Sequence, residues 1–76
     1  MIADVTPQAV TINGEPREIP HGAGVPDILR ALGMEPREVR GVAVAVNDEV
    51  IPKREWADFI IGAGDRVEVV TAKQGG

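Results

Sequence analysis

One stretch of this chain has a period unlike the rest. From Val25 the apolar residues Val25, Ile28, Leu29 and Leu32 stand at i, i+3, i+4 and i+7, which puts them on one stripe of a helix. That spacing predicts only about two turns, and a helix so short is not stable in water without tertiary burial. Its stripe must therefore lie on a sheet built by the flanking segments. The ends are well marked: Gly24 is an acceptable N-cap, Pro26 falls in the first turn, Asp27 complements the positive end and Gly33 can close the C-terminus.

The flanking segments supply strands. Val10 and Ile12 alternate ahead of Asn13-Gly14, the strongest short-range hairpin signal, because both residues tolerate positive φ. With those two residues as the turn, Ile12 faces Glu15, Val10 faces Arg17 and Gln8 faces Ile19, so Ile19 joins the Val10 and Ile12 face. After the helix and a Glu- and Arg-rich connection, Val42-Ala43-Val44-Ala45-Val46 reads as a central strand. Asn47-Asp48 turns the chain, and Glu49-Val50-Ile51 returns until Pro52 ends the ladder. Trp56, Phe59, Ile60 and Ile61 suggest one loose helical turn tucked under the sheet. Gly64-Asp65 makes a further turn before a last strand from Arg66 to Ala72. Strand, strand, helix, strand, short strand, strand is the order of an α+β β-grasp fold. In it a mixed sheet of four or five strands curls around one short helix, with the first and last strands parallel neighbours.

Length and composition narrow the function. A chain of 76 residues is expected to form one domain over 8–72, with a flexible lead over 1–7, a tail over 73–76 and no room for an enclosed active site. Twelve acidic against eight basic side chains give a net charge of −4, which argues against nucleic acid, whose phosphates need neutralising. Without cysteine the chain has no disulfides, thiolate metal sites or thiol nucleophiles. His21 stands alone in a Gly-rich loop, so no metal site is expected. No run approaches the length of a membrane span and no signal peptide is evident, which leads us to expect a cytoplasmic protein that is monomeric when free.

The remaining feature is the end, Lys73-Gln74-Gly75-Gly76. Two glycines make the thinnest peptide available, able to thread a narrow cleft. An ionised carboxylate is a poor electrophile, so the terminus needs activation, most simply as an acyl-adenylate made with ATP by another enzyme. Together with Val42-Ala43-Val44-Ala45-Val46-Asn47, Val50-Ile51-Pro52 followed by Trp56, and Gly64-Asp65-Arg66-Val67-Glu68-Val69-Val70, this ending resembles the ThiS family of ubiquitin-like sulfur carriers in thiamine biosynthesis. The resemblance implies that Gly76 is adenylated by a ThiF-like enzyme, becomes a thiocarboxylate, and gives its sulfur to a thiazole ring assembled by a ThiG-like thiazole synthase. Lys73, Gln74 and Gly75 would be the threading tail. The chain would be a protein cosubstrate rather than an enzyme, with no bound cofactor and with ATP consumed by its partner. Gly24 departs from the usual Thr or Ser cap, Asp48 stands at a turn position often glycine, and the lead is longer than the family needs. The molybdopterin-associated carrier also ends in Gly-Gly but usually has prolines shortly before its tail, and Val70-Thr71-Ala72-Lys73 has none. A sister carrier for molybdopterin or tRNA thiolation, and a non-reacting β-grasp interaction module, are the alternatives.

Two further expectations concern side chains. Trp56 should anchor its loop against the sheet edge, and Asp65 should satisfy backbone donors in its turn. On the sheet face opposite the helix the register collects Ala43, Ala45, Val50, Val70 and Ala72, where an antiparallel sheet of this size should be polar. A patch of small apolar residues facing solvent beside the tail is a candidate docking surface for the activating enzyme.

Overall fold

A computed structural model describes residues 6–72. Asn13 and Gly14 take φ of 53° and 84°, the left-handed pair of a type I′ turn. They close strand β1 (Pro7–Ile12) onto β2 (Glu15–Pro20) with Ile12 opposite Glu15, Val10 opposite Arg17 and Gln8 opposite Ile19. The sequence register holds. The strand starts at Pro7, one residue ahead of the expected domain start, and Thr6 already accepts a backbone bond from His21 at 3.2 Å. Residues 1–5 of the expected lead lie outside the described residues.

Helix α1 (Val25–Ala31) buries Val25, Ile28 and Leu29 completely, while Leu32, at its C-cap, is half-buried. Complete burial of each such side chain is worth roughly 1.5–3 kcal/mol, which offsets the helix's poor intrinsic stability. Asp27 Oδ2 accepts the Gly24 N–H at 2.9 Å, and the Asp27 N–H donates to the Gly24 carbonyl at 3.0 Å. A side chain at Gly24 would be crowded: an added Cβ would stand 3.1 Å from the Phe59 carbonyl oxygen, where Gly24 bridges Ile60. That close approach favours glycine as the cap residue.

Strand β3 (Val42–Val46) turns at Asn47 and Asp48, whose φ of 52° and 70° form a second left-handed pair, into the two-residue β4 (Glu49–Val50). A 3-10 turn follows at Lys53–Glu55, where a loose helical turn was expected, and the chain ends its described part in β5 (Arg66–Thr71). The sheet order is β2-β1-β5-β3-β4, with β1 and β5 parallel and the other pairs antiparallel. The expectation of a central β3 holds, since it is flanked by β5 on one side and β4 on the other; the middle place itself goes to β5. A strand paired on both sides has no apolar signature that distinguishes second place from third.

The core lies between this sheet and α1. It joins Val10, Ile12 and Ile19 to Val44, Val46, Val67 and Val69, and is closed at one end by Ile51, Trp56 and Ile61. Trp56 is buried and its Nε1 donates to the Ile51 carbonyl at 2.9 Å, as its anchoring role requires. Ile61 is buried, but Ile60 is 59 % exposed, so the loop is tucked in only in part. Gln8 is the one buried polar side chain among the described residues, and its Nε2 reaches the Ile61 carbonyl at 2.9 Å. That bond fastens the loop before β5 to β1.

Candidate functional site

The site begins where β5 leaves the sheet. Val67 and Val69 point into the core, so Val70 points out by strand alternation. Its cross-strand neighbour is Ala43, while Ala45 stands opposite both Glu68 on β5 and Val50 on β4. Residues facing one another across a ladder share a face, so Ala43, Ala45, Val50 and Val70 form one continuous patch on the side away from α1. Val50 and Val70 are 66 % and 62 % exposed, against 8 % for inward Val69. Ala43 and Ala72 are exposed and Ala45 is half-buried. The structure thus brings together the face expected from the register, with Ala72 at its end where its N–H donates to the Gly41 carbonyl at 2.6 Å. Lys73, Gln74, Gly75 and Gly76 lie outside the described residues.

Charge borders this patch on one side. Arg66 pairs with Asp48 at 2.5 Å, both largely exposed. The hydrogen bond and the negative charge of Asp48 raise the Arg66 guanidinium pKa still further from its ordinary value. Glu68, opposite Ala45, is exposed between this pair and Val70. Among the described residues no group of three or more His, Asp or Glu side chains is placed to hold a metal ion, and His21 lies exposed in its loop.

Two asparagines hold β5 in place. Asn47 accepts the Arg66 N–H on its Oδ1 at 2.9 Å, and its Nδ2 donates to Asp65 Oδ1 at 3.0 Å. Asp65 Oδ2 meanwhile takes the Gly62 N–H at 2.7 Å, so this residue fills its expected turn role and also links two loops. On the opposite side of β5, the Asn13 N–H donates to the Val67 carbonyl at 2.9 Å, and Asn13 Oδ1 accepts the Val69 N–H at 2.8 Å. Sequence reasoning placed both asparagines in turns and missed these second roles. The available signal was asparagine, rather than glycine, at the first position of each turn, because its side chain can act as an extra backbone amide.

A mixed five-stranded sheet around one helix, with parallel first and last strands and the last strand running out toward a Gly-Gly terminus, defines the ubiquitin-like β-grasp class. The model of the ThiS family matches residues 10–76, and the chain belongs to that family. It is 40 % identical over 67 residues to the sulfur carrier protein ThiS of Thermus thermophilus, covering 88 % of this chain and 98 % of that protein. It is also 36 % identical over 67 residues to a thiazole synthase of Paramagnetospirillum magneticum, covering 88 % of this chain but 20 % of that longer protein. The crystal structure of thiamine biosynthesis protein ThiS from Geobacter metallireducens superimposes with a TM-score of 0.69 at 29 % identity, covering 91 % of this chain and all of that one. Among the described residues no helix is long and apolar enough to cross a membrane.

Proposed function

We propose that this chain is a sulfur carrier of thiamine biosynthesis, acting as a cosubstrate through Gly76. A Gly76 carboxylate oxygen attacks the α-phosphorus of ATP on a ThiF-like enzyme, and pyrophosphate leaves. A sulfur nucleophile then displaces AMP from the acyl carbon, and the resulting thiocarboxylate passes its sulfur to a ThiG-like thiazole synthase. Family membership that extends through Gly76 is the observation that carries this reading; the two relatives named for sulfur carriage and thiazole synthesis support it.

The geometry is compatible with such chemistry. Four residues beyond Ala72 span at most about 14 Å when fully extended. An enzyme that holds the Gly76 carboxylate against ATP must therefore press against the end of the sheet, beside Val70 and Ala43. The apolar face offers that contact, while catalytic groups and nucleotide belong to the partner. Lys73, Gln74 and Gly75 serve as a narrow leader whose glycine lets the carboxylate enter a confined site.

The test is mass spectrometry of the C-terminal peptide after incubation with a ThiF-like enzyme, ATP and a sulfur donor. Sulfur localised to Gly76 is expected; whole-protein mass is insufficient because methionine oxidation adds nearly the same mass. Deleting Gly76 should abolish pyrophosphate release without altering thermal unfolding. Sulfur transfer by the deleted chain would refute the assignment.

A further inference from the structure

The edges of this sheet are guarded unequally. Backbone bonding in an antiparallel pair alternates, so every second residue turns its N–H and C=O away from the neighbour. On β2 the outward residues are Pro16, Glu18 and Pro20, since the His21 to Thr6 bond and the register fix the phase. The two prolines have no N–H to offer, and the Pro20 carbonyl is taken by the Ala23 N–H. On β4 the corresponding residue is Val50, after which Pro52 follows in the same phase and gives its carbonyl to Glu55. Both outer edges are thus blunted by proline.

A third edge lies inside the sheet. β1 pairs with β5 only at Thr11 with Arg66 and Ile12 with Val67, then turns away at Asn13. The bonds from Ala72 to Gly41 and from Asn47 to Arg66 set the β3 phase, so Val67, Val69 and Thr71 direct their backbone groups toward the side that β1 has left. Asn13 satisfies the Val67 carbonyl and the Val69 N–H. Beyond it the Val69 carbonyl, the Thr71 N–H and the Thr71 carbonyl follow in ladder order, and among the described residues no strand stands beside them on that side. From Val69 to Ala72 there is neither proline nor charge to discourage pairing.

We infer that this gap receives a strand of the enzyme that activates the tail, pairing through its backbone with Val69 and Thr71 and continuing the line of β1. The inference rests on the proposed function, which requires an ATP-using partner at this end of the sheet. Gly76 comes five positions after Thr71, a reach of about 18 Å at most, so a strand seated here would align the leader as it enters the nucleotide site. Backbone pairing gives register without depending on side chains, as in other strand-addition complexes. Asn13 sets where the partner strand can begin.

Amide exchange and kinetics on the full chain test this, using a ThiF-like enzyme that releases pyrophosphate with it. In the free chain Thr71 should exchange fast while Val70, bonded to β3, exchanges slowly; in the complex Thr71 should slow at least about tenfold. Thr71→Pro removes the outward N–H at a position where a strand tolerates proline, and should raise KM roughly tenfold with kcat retained. Thr71→Ala, which keeps the N–H, should behave as wild type. Unchanged Thr71 exchange in the complex, a wild-type KM for Thr71→Pro, or equal damage from Thr71→Ala would each overturn the inference while leaving the carrier reading intact. Concentration-dependent Thr71 protection in the free chain would also overturn it, in favour of pairing between copies. Should Thr71→Pro fail to fold, Thr71 exchange in the wild-type complex decides. If no such enzyme releases pyrophosphate with the wild-type chain, both proposals fall.

Discussion

Replacing Asn13 separates the two tasks this residue performs. Its φ of 53° lies in the left-handed region, and its Oδ1 takes the Val69 N–H at 2.8 Å. Asn13→Gly keeps the turn conformation and removes only the side-chain acceptor. The Val69 N–H faces an open edge where water can replace the lost partner, so the cost should fall near the middle of the range for a neutral bond, about 1 kcal/mol. Asn13→Ala loses the same bond and adds left-handed strain of roughly 1 kcal/mol or more, giving about 2 kcal/mol in all. For a domain of this size each kcal/mol lowers Tm by roughly 4–8 °C, so the two variants should melt in the order wild type, glycine, alanine. Urea unfolding followed by circular dichroism gives the free energies, and amide exchange reads Val69 directly. A glycine variant as stable as wild type, with Val69 still protected, would refute the clamp. An alanine variant more stable than glycine would refute the turn argument.

Further expectations concern the outer face and the core. Val70→Glu should leave unfolding nearly unchanged, because Val70 is 62 % exposed. It should weaken binding to the activating enzyme about tenfold or more, since burying that valine in an interface is worth roughly 1.5 kcal/mol; titration calorimetry showing unchanged affinity would remove the docking role. Trp56→Phe should cost about 2 kcal/mol in chemical denaturation, as the Ile51 carbonyl loses its buried donor, and a loss under 0.5 kcal/mol would make that bond dispensable.

Local chemistry determined much of this fold in advance. Asn13-Gly14 and Asn47-Asp48 could be read as turns because few residues adopt positive φ, and a two-residue turn fixes the pairing that follows. The stripe of Val25, Ile28 and Leu29 required a sheet to cover it, and alternation in 42–46 and 66–70 assigned each side chain to a face. Hence the outer patch of Ala43, Ala45, Val50 and Val70 was legible before any coordinates. Tertiary structure alone decided that β5 takes the middle place of the sheet, that Ile60 turns outward, and that Gln8 reaches the Ile61 carbonyl. It also decided that Asn13 and Asn47 grip β5 from opposite sides and that β1 stops short of Thr71, which pairs with Val42 of β3 alone among the described strands. Each depends on which segments meet across long separations in the chain. Periodicity reports which way a side chain faces but carries no information about which backbone stands beside it.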